Sequence, residues 1–280
     1  MALFLAFFAI FSMAIDMGIS ITSAEISFTT QIISFATATA ATTWFVMRFF
    51  EQQPVWAVGI ALQGSWRRHA LTGMIGGVCG VAFITLIAWA TGTVEFQSAE
   101  SSPAGTLLFM IPLFVISATT EELLFRGYPF QRLVEGTNGL VAIVVASLLF
   151  GYLHSNNPHA TDLSMLNTVL AGVLFSVGYL KTSALWLPMG FHFSWNWMLT
   201  VFGWPVSGLE LARMPWQVEA AQNSVWLHGG DYGPEGGILA TVVLMACIAF
   251  LKPLQLVKQS QHGISEKSAD PIDESYTPPQ

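Results

Sequence analysis

The sequence predicts an all-α fold, a polytopic bundle of about eight membrane-spanning helices. Hydrophobic residues make up 53% of the 280 positions and charged residues only 10%, whereas a soluble domain has roughly 25% charged residues. The apolar residues form runs of about 20, the length that crosses a hydrocarbon core of about 30 Å. The net charge of -7 comes largely from loops and the C-terminal tail, and we expect no nucleic-acid partner.

A window of about 20 residues places the spans in order along the chain. The eight segments lie near residues 2–22, 27–47, 70–91, 106–131, 138–155, 164–180, 185–203 and 236–252. The first starts at Ala2 without a basic region and is too long for a signal-peptide core, so we expect a retained helix. The second is rich in Thr and Ala, so its hydrophobic signal is weaker than that of the others.

The segments between and after these spans have their own character. Residues 54–62 are apolar but too short to cross the membrane, so we expect them to lie in the interface. The third span contains Gly76-x-x-x-Gly80, a pattern typical of close helix packing. Beyond about residue 255 the composition changes to Lys, Ser, Glu, Asp and Pro, which predicts a disordered tail.

Lysine and arginine residues indicate the orientation of the helices, because they collect in cytoplasmic loops. One face of the eight-helix arrangement carries Arg48, Arg67, Arg68, Arg132, Lys181, Lys252, Lys258 and Lys267. The loops on the other face, 92–105, 156–163 and 204–235, contain one basic residue, Arg213. We therefore expect both termini to be cytoplasmic.

These spans divide the chain into four regions. Residues 1–104 hold the first three helices and the interfacial segment, and residues 105–204 hold a core with polar residues at membrane depth. Residues 205–254 hold an extracytoplasmic loop and the last helix. Residues 255–280 are the cytoplasmic tail.

The stretch Glu121-Glu122-x-x-x-Arg126 points most directly to function, because it interrupts an apolar run that starts at Leu107. Ionisable side chains at membrane depth are costly and usually mark function. Glu122 and Arg126 are four residues apart, so they share one helical face and can form an ion pair. Glu121 points about 100° away and is left free to act. A Glu–Arg pair by itself can also be purely structural.

Polar residues of two later helices reach a depth similar to that of Glu121. Counting about 1.5 Å per residue from the cytoplasmic ends places Glu121 and His192 at ~17 Å and His154 and Asn196 at ~23–24 Å. A shared site requires the fourth helix to continue past Gly127, where we expect a kink or break. A carboxylate, two imidazoles and a carboxamide around one cavity can deprotonate a water molecule and stabilise an oxyanion.

Three motifs therefore occur in order and at helical spacing: Glu121-Glu122-x-x-x-Arg126, Phe150-x-x-x-His154 and His192-x-x-x-Asn196. Each is weak alone, but the set resembles the motifs of the CPBP family. That family includes the type II CAAX prenyl proteases of the Rce1 kind and the bacterial bacteriocin-processing and Abi-type membrane proteins. The resemblance covers about residues 107–200, and it implies an intramembrane endopeptidase with an all-helical fold.

The resemblance also implies a role for each motif residue. Glu121 is expected to be the general base that deprotonates the attacking water, and His154 is expected to position and activate that water. His192 and Asn196 are expected to stabilise the oxyanion. Glu122 and Arg126 are expected to brace the helix. Phe150 is an aromatic residue at helical spacing, and we expect it to be a supporting residue that packs beside the site.

Two versions of this chemistry stay open. The family is commonly described as metalloproteases, and Glu121, His154 and His192 could supply the three protein ligands of a zinc ion, with water in the fourth position. The sequence has no His-Glu-x-x-His pair. A mechanism without a metal would need the same residues.

Other functions also stay open. The leading hypothesis is cleavage of a membrane-associated protein or peptide in a prokaryotic plasma membrane, since the chain is short and lacks a eukaryotic targeting signal. The competing class is a non-catalytic membrane protein of the same fold, such as a bacteriocin-immunity protein or a scaffold. An ion-coupled transporter is the weaker alternative, because no second copy of the charged helix occurs.

Overall fold

The computed structural model describes residues 4–10, 12, 28–100, 104–221 and 224–251. Residues 4–10 are helical and fall within the first predicted span. The rest of that span lies almost wholly outside the described residues. The predicted tail at 255–280 lies outside them entirely.

The described chain is a bundle of helices, as the sequence predicts. The helices are α1 Phe28–Phe49, α2 Trp66–Ala90, α3 Ala104–Arg126, α4 Tyr128–Gly136, α5 Gly139–Leu153, α6 Asp162–Thr182, α7 Trp186–Val201 and α8 Ile238–Leu251. A one-turn helix at Val225–His228 and 3-10 turns at Val55–Val58, Gly230–Tyr232 and Pro234–Gly236 lie between them. Large apolar side chains remain exposed on the outer faces, among them Ile75, Leu86, Leu140, Leu148 and Phe250. Such an apolar outer surface suits a protein surrounded by lipid.

Within the described residues, four helical segments are long and apolar enough to cross a membrane. They are Thr29–Phe49, Trp66–Ala90, Gly105–Gly136 and Asp162–Thr182. The helices at the fifth, seventh and eighth predicted spans are shorter than the prediction, with 15, 16 and 14 residues. At about 1.5 Å per residue they rise roughly 21–24 Å. The eighth is short because the glycine-rich chain before Ile238 forms turns instead of helix.

The expected break at Gly127 is present. Helix α3 ends at Arg126 and α4 starts at Tyr128, so the fourth predicted span consists of two consecutive helices with a break at Gly127. The amide of Gly127 donates to the carbonyl oxygens of Glu122 and Leu123 at 3.0 and 3.1 Å. A Cβ at position 127 would overlap the carbonyl oxygen of Leu123. The break therefore depends on glycine, and it lies past Glu121.

Helices α2 and α7 pack closely along glycines of α2, and their tightest approach is at Gly73 and Gly77 and not at Gly76 and Gly80 of the predicted motif. A Cβ at Gly73 would overlap the carbonyl oxygen of Leu187, and one at Gly77 would overlap the Ser194 hydroxyl. The hydroxyl of Ser194 donates to the carbonyl oxygen of Met74 at 3.0 Å. This contact fixes the position of α7, the helix that carries two of the predicted site residues.

The structure also contains a small sheet that the all-α prediction missed. Strands β1 (Val94–Ser98) and β2 (Trp216–Ala220) pair antiparallel, with Val94 opposite Ala220. The sheet joins the connection after α2 to the long connection between α7 and α8. It does not change the fold class, because both strands lie in loops.

A buried asparagine of α6 ties the last loop to the bundle. The amide nitrogen of Asn167 on α6 donates to the carbonyl oxygens of Glu235 and Gly237 at 2.8 and 2.9 Å. The hydroxyl of Thr241 donates to the amide oxygen of Asn167 at 2.6 Å. These bonds hold the segment before α8 against the interior of the bundle.

Candidate active site

The four predicted catalytic residues line one cavity of about 770 Å³. Glu121 comes from α3, His154 from the end of α5, and His192 and Asn196 from α7. The helical segment continues past Gly127 as α4, which ends at Gly136, so the chain after Glu121 stays helical beyond Arg132 despite the break.

Glu121 presents one carboxylate oxygen to both imidazoles. Its Oε2 atom lies 3.9 Å from Nε2 of His154 and 3.8 Å from Nε2 of His192. Both distances exceed the length of a direct hydrogen bond. The other oxygen, Oε1, accepts a hydrogen bond from the Ser117 hydroxyl at 3.3 Å. Ser117 lies one helical turn earlier on the same helix. The spacing of four residues could have identified it from the sequence as a partner of Glu121.

His154 is oriented by its own helix. It caps the C-terminus of α5, and its Nδ1 atom lies 2.7 Å from the carbonyl oxygen of Phe150. A carbonyl oxygen can only accept, so Nδ1 carries a proton, and Nε2 is the ring nitrogen that faces Glu121. The spacing of four residues between Phe150 and His154 thus sets the tautomer of the imidazole.

His192 is oriented by the second carboxylate of the motif. Its Nδ1 atom lies 3.0 Å from Oε1 of Glu122, and the ring of Phe175 stacks on the imidazole at 5.1 Å and 16°. The side chain is nearly buried, and Nε2 faces the cavity. The proposed bracing role of Glu122 is therefore incomplete, because this carboxylate also contacts a histidine of the site.

The ion pair between Glu122 and Arg126 is present behind the cavity. Oε1 of Glu122 and Nη1 of Arg126 are 3.3 Å apart, and both side chains are fully buried. Arg126 also donates to the carbonyl oxygen of Gly172 at 3.0 Å and to the Ser176 hydroxyl at 3.4 Å. Charges buried this deeply need such additional partners.

Aromatic rings enclose the same guanidinium. The centre of Arg126 lies 4.7 Å from the ring of Phe150, 5.3 Å from Phe175 and 5.5 Å from Phe125. The ring of Phe150 is also 4.5 Å from the imidazole of His154. Phe150 therefore lies between the buried cation and a cavity histidine, in agreement with packing beside the site.

Asn196 lies one turn beyond His192 on α7. Its side chain is half-buried and lines the cavity. The spacing of four residues puts the carboxamide and the imidazole on one helical face. The carboxamide can therefore donate to a group bound beside His192.

The described geometry does not fit a zinc triad of Glu121, His154 and His192. Across residues 28–100, 104–221 and 224–251 and the described N-terminal residues, no three His, Cys, Asp or Glu side chains are grouped to hold a metal ion. Ligand atoms of a tetrahedral zinc lie about 3.4 Å apart, since each is about 2.1 Å from the metal. The two distances from Glu121 to the histidines are longer, at 3.8 and 3.9 Å.

The cavity has a polar wall that the sequence did not reveal. Asn157, Ser207 and Glu235 line it on the side of the loops, together with Asn167 of α6. Ser207 and Glu235 lie in a long connection without a repeating pattern, so no spacing linked them to the motifs. Their position near His154 follows only from the folded chain.

Comparison with known proteins supports the resemblance. Residues 103–198 match the family model described as type II CAAX prenyl endopeptidase Rce1-like. Over 94 residues, the chain is 29% identical to a protein of Bacillus subtilis (strain 168) named "Putative membrane peptidase YdiL". That alignment covers 34% of this chain and 36% of the relative, so the match spans about a third of the relative's length.

The matched segment contains all three motifs, from Glu121 to Asn196. The resemblance to the CPBP and Rce1-like proteins is therefore confirmed for this part of the chain. Together with the membrane-spanning helices, it identifies an integral membrane protein.

Proposed function

We propose that this chain is an intramembrane endopeptidase that hydrolyses a peptide bond of a membrane-associated protein or peptide. One observation carries the proposal. A single oxygen of Glu121 faces Nε2 of both His154 and His192 across gaps of 3.9 and 3.8 Å. Such gaps are too long for direct hydrogen bonds but can be bridged by one water molecule. The likeness of residues 103–198 to a family of endopeptidases supports the same reaction.

In the proposed first step, Glu121 acts as the general base. Its Oε2 atom removes a proton from the water while Nε2 of His154 accepts the other hydrogen bond of that water. The water oxygen forms a bond to the carbonyl carbon, and the π electrons of the carbonyl group move to its oxygen. Ser117 holds the other oxygen of Glu121, so Oε2 keeps its direction.

The negative charge on the carbonyl oxygen needs donors in a place shielded from bulk water. His192 in its doubly protonated form would donate from Nε2 while Nδ1 remains bound to Glu122. The carboxamide of Asn196 would donate from one turn further along α7. When the intermediate collapses, the carbon–nitrogen bond breaks, and the proton held by Glu121 passes to the leaving nitrogen.

The test compares cells that produce the wild-type chain with cells that produce Glu121→Gln. New protein termini that appear only with the wild type would identify a substrate, and a peptide spanning that bond would then be assayed with the purified protein. Removing the base is expected to reduce kcat by about 10²–10⁴-fold. Glu210→Gln, a change at an exposed loop carboxylate, is the matched control and should retain full activity.

Retained cleavage in Glu121→Gln would contradict the assignment of the base. If the chain cleaves nothing, and Glu121→Gln and wild type are indistinguishable in every measured property, the result would favour a non-catalytic scaffold protein instead. Chelation of divalent cations tests the mechanism separately. The same peptide should be cleaved at an unchanged rate, and a loss of activity restored by zinc would contradict a reaction without a metal.

A further inference from the structure

Glu235 places a second carboxylate in the wall of the cavity. It lies in the 3-10 turn Pro234–Gly236, directly before α8. Its Oε1 atom accepts a hydrogen bond from the indole of Trp195 at 3.1 Å. Its Oε2 atom accepts from the backbone amide of Ser207 at 2.6 Å and from the Ser207 hydroxyl at 2.9 Å. With its backbone held by Asn167, the carboxylate has a fixed direction.

The location of Glu235 in the fold brings it near the residues proposed for the reaction. Trp195 lies between His192 and Asn196 in sequence, so Glu235 is bonded to the helix that carries both residues. Glu235 is also close enough to His154 to interact with it electrostatically. Glu121 and Glu235 line the same cavity, so a peptide bound across Glu121 would also lie in the cavity whose wall carries Glu235.

The charge of Glu235 is poorly compensated by the cavity. The donors to its oxygens are an indole, an amide and a hydroxyl, all of them neutral. The ionisable side chains that line the cavity in the described part of the chain are Glu121, Glu235, His154 and His192, and they include no lysine or arginine. Burial raises the pKa of the Glu235 carboxyl above its usual value, and the bonds from Ser207 and Trp195 and the charge of His154 offset only part of this rise. A carboxylate in such an environment gains most from a cation placed beside it.

We propose that Glu235 is a specificity residue that binds the cationic side chain of a lysine or arginine near the scissile bond. The inference rests on the proposed endopeptidase function and adds a substrate class to it. A long lysine or arginine side chain can lay its methylene groups on apolar lining residues such as Val206 and Leu209 while its charged end reaches the carboxylate. A glutamate at the same substrate position would be repelled.

The test measures binding, so that it does not depend on turnover. The full chain with Glu121→Gln, reconstituted in lipid nanodiscs, is titrated into fluorescein-labelled peptides of alanine and leucine. Each peptide carries lysine, norleucine or glutamate at one position, which is moved along the peptide. At one or more positions, lysine is expected to bind about 10- to 100-fold more tightly than norleucine, as for a hydrogen bond to a charged group. Glutamate should bind more weakly than norleucine.

Three variants distinguish the effect of the Glu235 charge from an effect on the structure of the loop. Adding Glu235→Gln should abolish the preference for lysine and leave binding of the norleucine peptide unchanged. Ser207→Ala, which keeps the carboxylate but loses one donor, should retain most of the preference. Glu210→Gln removes an equal charge from the same loop at an exposed position and should retain all of it.

Three outcomes would overturn the proposal. They are no preference for lysine at any position, a preference that survives Glu235→Gln, and loss of norleucine-peptide binding in Glu235→Gln, which would make the residue purely structural. Failure of the proposed function would look different. The wild-type chain would then cleave nothing while the lysine preference still depended on Glu235.

Discussion

The two sides of helix α3 place adjacent carboxylates in opposite environments. On the buried side, Glu122 is fully enclosed and paired with Arg126, whose guanidinium also contacts Gly172 and Ser176. On the cavity side, Glu121 is 21% exposed, and its nearest groups are two imidazoles beyond hydrogen-bond distance and one hydroxyl. Oε1 of Glu122 has fixed partners in Arg126 and His192. The Oε2 atom of each carboxylate has no hydrogen-bond partner among the described residues, but that of Glu121 faces the two imidazoles of the cavity.

His192 connects the two sides. Its Nδ1 atom is bonded to Glu122, and its Nε2 atom faces Glu121. A carboxylate that orients a histidine from behind is a common way to fix a reactive imidazole. The comparison thus separates a carboxylate that stabilises structure from one that is free for chemistry, and it can be tested by changing each side independently.

The largest effect is expected on the buried side, in Glu122→Ala. Arg126 would stay buried without its carboxylate, which should lower the free energy of unfolding by about 3–5 kcal/mol. Reversible unfolding in detergent would measure the change. In Glu121→Ala the free energy should change by less than about 1 kcal/mol, because no buried charge loses its partner. Equal losses in the two variants would contradict the division of roles.

A smaller effect is expected in Arg126→Lys. The charge remains, but an ammonium cannot reproduce the planar contacts of the guanidinium with Glu122, Gly172 and Ser176. The free energy of unfolding should fall by about 1–3 kcal/mol, and His192 should be less well oriented. Arg132→Lys serves as the control, because Arg132 is 31% exposed in its ion pairs. If the two lysine variants were equally stable, the buried contacts of Arg126 would not be specific.

The smallest effect is expected on the cavity side, in Ser117→Ala. The hydroxyl only supports Oε1 of Glu121 over a distance of 3.3 Å. Its loss should lower kcat by less than about tenfold and leave stability within about 0.5 kcal/mol. Steady-state kinetics on a confirmed peptide would measure it. A change in stability as large as that of Arg126→Lys would place Ser117 with the buried side instead.

Residues within one helix were predictable because their spacing fixes their geometry. Glu122 and Arg126 form the pair expected at four residues. The motif residues of three helices line one cavity, as their similar depth predicted. Contacts between distant segments outside the motifs left no such signal. Gly172 and Ser176 bind Arg126 from 46 and 50 residues away, and nothing in their own surroundings marks them as its partners.

The sequence by itself determined that this chain is a helical membrane protein and that Glu121, His154, His192 and Asn196 are its candidate site, because hydropathy and the helical period are local properties. Only the tertiary structure decided that Glu122 contacts His192 as well as Arg126. It also decided that Glu235 enters the cavity. These two results depend on the rotation of each helix and on the path of a long loop, which are set by packing between segments far apart in the chain.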